Sequence, residues 1–148
     1  MTLHIRRAET GDLDVLTILF DGYRQFYEQP ADLALARRFI GDRLQNGDSV
    51  IFLAFRDGAA LGFTQLYPTF SSVGATAIFV LNDLFVDPRE RTCGIGSALL
   101  RHAAAFAASS GAKQLTLRTA TTNTTAQSVY ERLGWLRDTR FFTYSLGL

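Results

Sequence analysis

A short glycine-containing loop is the part of this sequence with the clearest capacity for chemistry. It reads Arg91-x-x-Gly94-x-Gly96 and lies between an apolar run, residues 78–86, and a segment with helical spacing of apolar residues. Strand, glycine loop and helix are therefore predicted in succession. Glycine lets the backbone approach a ligand closely, and the N–H groups at a helix start carry partial positive charge. This arrangement predicts a binding site for a phosphate or pyrophosphate group.

Two common nucleotide-binding patterns do not fit this loop. A P-loop requires Lys and then Ser or Thr after its last glycine, whereas Gly96 is followed by Ser97 and Ala98. A dinucleotide-binding fingerprint requires glycine or alanine three residues after Gly96, where this chain has Leu99. Neither nucleotide-binding fold is indicated.

Composition limits the kind of protein that can carry the loop. The chain has 148 residues, 47% of them hydrophobic, which suits one domain over residues 1–148 with a substantial core. A net charge of +1 gives no support to a nucleic-acid partner or a membrane surface. With a single cysteine and neither a signal-peptide pattern nor a long apolar run, we expect a cytoplasmic protein acting on a small molecule.

Periodicity and turn residues predict the elements that must position the loop. The strands at 50–55 and 60–70 are expected to be antiparallel, joined by a hairpin turn at Asp57-Gly58. In order, the predicted elements are a strand at 3–7, helices at 10–26 and 30–46, strands at 50–55, 60–70 and 78–86, a helix ending near 110, a strand at 113–119, a helix at 123–133 and one or two strands within 136–146.

This order of elements, together with two motifs, resembles the GCN5-related N-acetyltransferase (GNAT) superfamily. The glycine loop matches the superfamily's pattern of Gln or Arg, two residues, Gly, one residue, then Gly or Ala. The second motif, similar to the superfamily's Asn, Ala, Tyr, Gly-aromatic signature, reads Asn123-Thr-Thr-Ala126-Gln-Ser-Val-Tyr130-Glu-Arg-Leu-Gly134-Trp135. The resemblance covers essentially the whole chain. It implies a single α/β (α+β) domain with a mixed sheet of about six or seven strands, about four flanking helices and two splayed strands.

Two further stretches are similar to the small diamine and histone/polyamine acetyltransferase branch. They read Leu81-Asn82-Asp83-Leu84-Phe85-Val86 in the central strand and Phe26-Tyr27-Glu28 at the end of the first helix. Because these relatives are commonly dimers, the resemblance also implies a homodimer.

The resemblance implies acetyl-CoA as cofactor, and the residue spacing predicts no metal. The amide-bearing arm of the cofactor would pair with the backbone at Leu84, Phe85 and Val86 as an added strand does. Asn123 would cap its helix or hold the arm, together with Ala126. The pyrophosphate would lie on the loop, whose residues are Arg91, Thr92, Cys93, Gly94, Ile95, Gly96 and Ser97. Thr92 departs from the superfamily's usual glycine.

Acetyl transfer to an amine requires two proton movements. An alkylammonium group must lose a proton before it attacks, and the departing thiolate is helped by gaining one. The resemblance assigns the acid to Tyr130. Relatives usually carry a glutamate base where this chain has Asn82, so Asp83, Glu28 or a water chain is left as the base, and strict alternation places Asp83 on the opposite strand face from Asn82. Tyr27, Glu28 and Asn82 are the expected contacts of the acceptor.

The implied activity is direct transfer from acetyl-CoA to a primary amine in a ternary complex, with a polyamine or lysine-like compound as acceptor. Two alternatives remain open: a protein lysine or N-terminal acetyltransferase, and a CoA-binding module without activity. The missing glutamate at Asn82 favours the module, whereas Tyr130 and Glu28 favour the enzyme. Cys93 has no histidine partner at a recognised spacing, so a covalent acetyl-cysteine route is not expected. No residue set has metal-ligand spacing.

Overall fold

The structure is a computed structural model that describes residues 2–91 and 93–148. Within these ranges the chain forms five strands and four α-helices. The elements are β1 (His4–Arg7), α1 (Leu13–Phe26), α2 (Leu33–Asn46), β2 (Val50–Arg56), β3 (Ala59–Ser71), β4 (Thr76–Val86), α3 (Ile95–Ser109), β5 (Leu115–Leu117) and α4 (Thr124–Arg132). Its contacts group it into two compact units, one ending at Leu117 and one from Arg118 to Leu148.

The first unit contains a mixed sheet with the strand order β1-β2-β3-β4-β5. The first three pairs are antiparallel, and β4 pairs with β5 in parallel. Between β2 and β3, Asp57 and Gly58 have φ of 53° and 79°, the left-handed values that a tight hairpin turn requires. The predicted mixed sheet and the predicted hairpin are confirmed.

Helices cover both faces of this sheet, which is why β2 is apolar at consecutive positions. Ile51 and Leu53 belong to a buried cluster with α1 and α2. Phe52 points the other way, and its ring lies 4.6 Å from the His102 ring and 5.3 Å from the Phe106 ring of α3. The alternation of side chains along β2 thus divides the core between two helical layers.

The link between α1 and α2 differs from the sequence prediction. The second helix begins at Leu33 rather than at Pro30, because the Asp32 carboxylate caps it by accepting a hydrogen bond from the Leu35 N–H at 3.0 Å. The buried Asp21 carboxylate accepts the Asp32 N–H at 2.9 Å and the Gln25 side-chain N–H at 2.9 Å. This carboxylate ties the two helices together.

The prediction of six or seven strands is wrong for the part of the chain that the structure describes. The fifth strand spans three residues instead of 113–119, and residues 136–146 contain no strand. A strand forms only where its backbone finds a paired edge, and the apolar alternation in 136–146 has no such pairing in this structure. In the second unit, α4 ends as predicted at a left-handed glycine, Gly134, with φ 96°.

Candidate active site

Strand β4 carries a β-bulge at Asn82, in the middle of the predicted site. Gln65 pairs with Asp83 and Leu66 pairs with Leu81, so Asn82 has no partner on β3. On the other side of β4, pairing with β5 stops at the same place, at Leu81 and Leu117. In the remainder of β4, residues 82–86, the backbone edge that faces away from β3 is therefore not paired with a strand in this structure. We call it the open edge.

The hydrogen-bond ladder shows which residues face that open edge. The Asp87 N–H donates to the Leu61 carbonyl at 2.8 Å. By alternation in an antiparallel pair, Phe85 also faces β3, and the backbone groups of Leu84 and Val86 face away from it. The Val86 carbonyl accepts a hydrogen bond from Arg91 Nε at 3.1 Å, in agreement with this orientation. Phe85 thus contributes its ring to the core, while Leu84 and Val86 present backbone groups at the edge.

Two glycines allow β4 to pack as closely as it does. A Cβ at Gly62 on β3 would lie 2.8 Å from the Phe85 carbonyl oxygen. A Cβ at Gly22 on α1 would lie 3.0 Å from Cζ of the Phe85 ring. The position of the open edge of β4 therefore depends on glycine, which has no side chain, at one position of β3 and one of α1.

The glycine loop ends in the helix start that the sequence predicted. Gly94 precedes α3 with a left-handed φ of 77°, and the first helical hydrogen bond runs from the Ala98 N–H to the Gly94 carbonyl at 3.0 Å. The N–H groups of Ile95, Gly96 and Ser97 therefore have no acceptor within the helix. Ile95 itself is buried, so it offers only its backbone.

The space above the loop fits a phosphate-bearing group. A Cβ at Gly94 would meet no atom within 4 Å, and one at Gly96 would meet Val86 Cγ2 at 3.9 Å. Open space thus adjoins the unpaired N–H groups of a long helix, the arrangement that binds anions. The predicted contact at Thr92 lies outside the described residues.

Arg91 fastens the loop to the sheet and to α1. Its guanidinium carbon lies 5.1 Å from the Phe26 ring centroid and 5.5 Å from the Phe85 ring centroid. Together with the bond to the Val86 carbonyl, these contacts fix the base of the side chain. Its predicted contact with phosphate stays a prediction. The neighbouring Cys93 is exposed and carries a free thiol.

A buried carboxylate lies directly after the bulge. Asp83 is 1% exposed, and its Oδ2 accepts a hydrogen bond from Gln65 Nε2 at 2.6 Å. Its Oδ1 accepts one from Asn82 Nδ2 at 2.9 Å. Strict alternation was expected to separate Asn82 from Asp83, and that expectation is wrong because the bulge interrupts the alternation. A buried Ser49 hydroxyl completes the chain by donating to Gln65 Oε1 at 2.8 Å.

Burial dominates the electrostatics of this carboxyl group. Desolvation raises the pKa of Asp83, and the hydrogen bonds from Asn82 and Gln65 only partly oppose it. Burial, with the nearby Asp83 charge, also raises the pKa of Tyr67 to about 12 and raises the pKa of Tyr23. The Tyr23 hydroxyl interacts with the Asp83 carboxyl and donates to the Asn82 carbonyl at 3.2 Å. Asp83 is thus a carboxyl group with increased proton affinity, and it lies near two tyrosines whose hydroxyls stay protonated at neutral pH.

The end of α1 supplies the aromatic side chains predicted for the acceptor. The half-exposed Tyr27 ring lies 5.1 Å from the Tyr23 ring and 5.3 Å from the Phe26 ring, edge to face. Glu28 is exposed and has a left-handed φ of 64°. Tyr23 therefore joins Tyr27 to the Asn82 and Asp83 cluster, whereas no hydrogen bond or ion pair of the described residues brings the Glu28 carboxylate to that cluster.

The second unit holds the remaining predicted residues. The Asn123 side chain accepts the Ala126 N–H at 3.2 Å, which confirms that it caps α4. The half-buried Tyr130 ring lies 6.2 Å from the Trp135 ring, and the Trp135 N–H donates to the Tyr130 carbonyl at 3.0 Å. Tyr130 is thus held by packing at the end of α4.

Sequence reasoning missed two members of the buried network, Gln65 and Ser49. Each is a polar residue within or beside an apolar strand run, and a buried amide or hydroxyl there requires a partner. That signal was present in the sequence, but the partners do not follow from it: Ser49 bonds to Gln65, and Gln65 reaches Asp83 only because β3 pairs with β4.

Other features lie apart from these residues. A surface depression of about 470 Å³ is lined by residues of α1, α2 and the turn before α1, and none of the predicted site residues lines it. Within 2–91 and 93–148, no cluster of three His, Cys, Asp or Glu side chains is suited to a metal ion. Nor do these ranges contain a helix of the length and apolarity needed to traverse a bilayer.

Comparisons with known proteins agree with this geometry. The family model of the GNAT acetyltransferases matches residues 14–135. The chain is 48% identical over 146 residues to an uncharacterized N-acetyltransferase, YhfO, of Bacillus subtilis, covering 99% of this chain and 98% of that protein. It is 32% identical over 101 residues to a probable acetyltransferase of Haemophilus influenzae, covering 68% and 69%. A crystal structure of a probable acetyltransferase is 37% identical, with a TM-score of 0.92 over 98% and 97% of the two chains. The chain therefore belongs to the GNAT acetyltransferase family.

Proposed function

We propose that this chain transfers an acetyl group from acetyl-CoA directly to the primary amine of a small molecule, in a ternary complex. The observation that carries the proposal is the buried Asp83 carboxyl, with its raised pKa, beside the open edge of β4. A polyamine or a lysine-like compound has the cationic amine that such a group would deprotonate. Membership of the family establishes acetyl transfer but does not identify the acceptor.

Members of this family use acetyl-CoA, which supplies the activated acetyl group when bound. The backbone groups of Leu84 and Val86 would hold its amide-bearing arm, and the Leu84 N–H would donate to the acetyl oxygen as negative charge develops there. Asn123 and Ala126 are assigned to the same arm by the family motif. The pyrophosphate would be held by the loop residues Arg91, Thr92, Cys93, Gly94, Ile95, Gly96 and Ser97.

The acceptor end of the site would use residues of α1 and β4. Glu28 and the rings of Tyr23 and Tyr27 would attract the ammonium group. Because Asp83 is buried, the proton would leave the amine through the Tyr23 hydroxyl. This hydroxyl would turn from the Asn82 carbonyl to the Asp83 carboxylate and pass its own proton to it while taking one from the amine. Asn82 would hold Asp83 and contact the acceptor. Tyr130, the acid assigned by the family motif, would protonate the departing thiolate.

One relative gives a specific candidate for the acceptor. The chain is 34% identical over 118 residues to the streptothricin acetyltransferase of Streptomyces lavendulae, covering 73% of this chain and 60% of that protein. Streptothricin therefore joins polyamines, lysine analogues and aminoglycosides in the set of amines to be assayed.

The proposal is tested by measuring CoA-thiol release from acetyl-CoA with each amine and with basic peptides. Tyr130→Phe and Asp83→Asn are expected to lower kcat at least tenfold while acetyl-CoA still binds. Asp83→Asn should also remove the acidic limb of the pH-rate profile. The matched control is Asp21→Asn, which changes another buried carboxylate, on α1, and is expected to lower stability but not kcat.

Three results would contradict the proposal in different ways. Acetyl-CoA binding without release on any amine would indicate a CoA-binding module. Release on basic peptides alone would indicate a protein acetyltransferase. Equal loss of kcat in Asp83→Asn and Asp21→Asn, with an unchanged pH profile, would remove Asp83 from the mechanism and leave it a structural role.

A further inference from the structure

The side chain of Arg24, near the end of α1, contains a buried donor without an acceptor. The residue is half-buried, and its Nη1 atom is buried with no hydrogen-bond partner in residues 2–91 and 93–148. None of the ion pairs within these ranges includes Arg24. An unpaired buried guanidinium group costs free energy, and such groups are rare in native structures. Arg24 is therefore a candidate to bind an anionic group that the chain itself does not supply.

The same helix end carries the residues proposed to hold the acceptor. Arg24 directly follows Tyr23, whose hydroxyl donates to the Asn82 carbonyl at 3.2 Å. Tyr27 comes three residues after Arg24, a spacing that brings side chains onto one face of a helix, and its N–H donates to the Arg24 carbonyl at 3.0 Å. An anionic group bound by Arg24 would therefore lie close to an amine held by Tyr23 and Tyr27.

Glu28 closes this turn without neutralising Arg24. It has a left-handed φ of 64° at the position after the helix where glycine is usual, and the following Gln29 N–H donates to the Arg24 carbonyl at 3.0 Å. The described part of the chain contains no ion pair between Glu28 and Arg24. The turn therefore presents a positive and a negative group that are not paired with each other, which complements the two charges of a zwitterionic ligand.

We infer that Arg24 binds a carboxylate carried by the acceptor, so that the acceptor is an amino acid or a similar zwitterion rather than a simple polyamine. A guanidinium group is planar and holds a carboxylate through two parallel hydrogen bonds, which would satisfy the donor left without a partner in the free protein. Glu28 would face an ammonium group of the same molecule. This inference rests on the proposed transfer to a small amine, and it restricts the acceptor to amines that carry a carboxylate.

The first test compares amines that differ only by a carboxylate. Lysine and cadaverine form one such pair, ornithine and putrescine a second, and phenylalanine and phenethylamine a third. In isothermal titrations with CoA present, the wild type is expected to bind the carboxylate member of at least one pair about 10- to 100-fold more tightly, the contribution of hydrogen bonds between charged groups.

Variants of Arg24 assign that preference to the guanidinium group. Arg24→Met removes the charge and keeps a long side chain, so the ratio of the two affinities should fall to about one. Arg24→Lys keeps the charge without the two parallel donors and should give an intermediate ratio. The matched control is Arg101→Met, which removes an exposed arginine from α3 on the other face of the sheet and should leave the ratio unchanged.

Thermal melting separates binding from a structural role. Because the buried N–H lacks an acceptor in the free protein, Arg24→Met should leave Tm unchanged or raise it, whereas loss of a structural contact would lower it. The carboxylate amine should raise the Tm of the wild type more than its partner amine does, and this difference should disappear in Arg24→Met. Should Arg24→Met not fold, the affinity ratio of Arg24→Lys decides the question.

The results distinguish this inference from the proposed function. Equal affinity for both members of every pair in the wild type would overturn the inference, and so would a preference for the carboxylate that persists in Arg24→Met and Arg24→Lys. CoA release with cadaverine or putrescine as fast as with lysine or ornithine would also overturn it while leaving acetyl transfer established. A carboxylate preference that depends on Arg24, without CoA release on any amine, would support the carboxylate site and contradict the proposed function.

Discussion

Replacing Gly62 by alanine tests how closely β3 and β4 must approach. The new Cβ would lie 2.8 Å from the Phe85 carbonyl oxygen and 3.3 Å from Val86 Cα, whereas ordinary contact begins at 3.4 Å. The two strands must separate by about 0.6 Å, the difference between 2.8 and 3.4 Å. Both of the closest atoms are backbone, so neither can rotate away as a side chain can.

The expected cost of Gly62→Ala follows from two opposing effects. Overpacking of this kind lowers the free energy of unfolding by roughly 1–3 kcal/mol. Alanine also reduces the conformational entropy of the unfolded chain, which offsets about 0.5–1 kcal/mol of that loss. A net loss of roughly 1–2 kcal/mol should lower Tm by about 3–6 °C in a domain of this size. The displaced strand carries Leu84 and Val86, so the KM for acetyl-CoA should rise about fivefold, equivalent to one weakened hydrogen bond of about 1 kcal/mol.

Gly11→Ala is the matched control, since a Cβ there would meet nothing within 4 Å and its φ is not positive. Thermal melting of both variants and acetyl-CoA saturation curves provide the comparison. An unchanged Tm for Gly62→Ala would refute the steric argument. A lowered Tm with an unchanged KM would refute the assignment of this edge of β4 to acetyl-CoA.

Three further variants test the electrostatics of the sheet. Burial raises the pKa of Asp83 above its ordinary value of 3.8. The free energy of unfolding of the wild type should therefore fall as pH rises from 3.8 to the raised pKa, by about 1.4 kcal/mol per pH unit in that interval. Urea titrations of Asp83→Asn should show no such fall. Hydrogen bonds from Arg89 lower the pKa of Asp87 to about 2. The ionised Asp87 carboxylate therefore stabilises the folded state above pH 3.8, and this contribution is lost as pH falls through 2. Because Arg89 is exposed, Asp87→Asn should cost under about 1 kcal/mol in urea unfolding at pH 7 and nothing below pH 2. Ser49→Ala leaves the buried Gln65 Oε1 without its donor and should cost roughly 1–3 kcal/mol in the same assay, and an unchanged midpoint would show that a water replaces it.

The features that the sequence predicted well depend on short-range chemistry. The Asp57-Gly58 turn, the Gly94 start of α3 and the Asn123 cap each follow from what one or two residues do to the local backbone. Family membership was predicted from two motifs whose spacing is equally local. Such features need no knowledge of which strands become neighbours.

The features that the sequence missed depend on pairing between distant segments. The bulge at Asn82 exists only relative to β3, and it brings together side chains that alternation within β4 would separate. Pro30 is a strong local signal for a helix start, yet the Asp32 cap, held by Asp21, determines the boundary. The strand expected within 136–146 has the right pattern, but a pattern does not supply an edge to pair with.

The bulge also bears on how this strand can change in evolution. Deleting the single unpaired residue at Asn82 would leave every pairing on either side intact, because Leu66 would still face Leu81 and Gln65 would still face Asp83. The half of β4 that pairs with β5 and the half with the open edge are therefore independent in register. Insertions and deletions at this point would change the half of β4 that has the open edge and leave the pairing of the other half unchanged, so this part of the strand can vary while the fold is preserved.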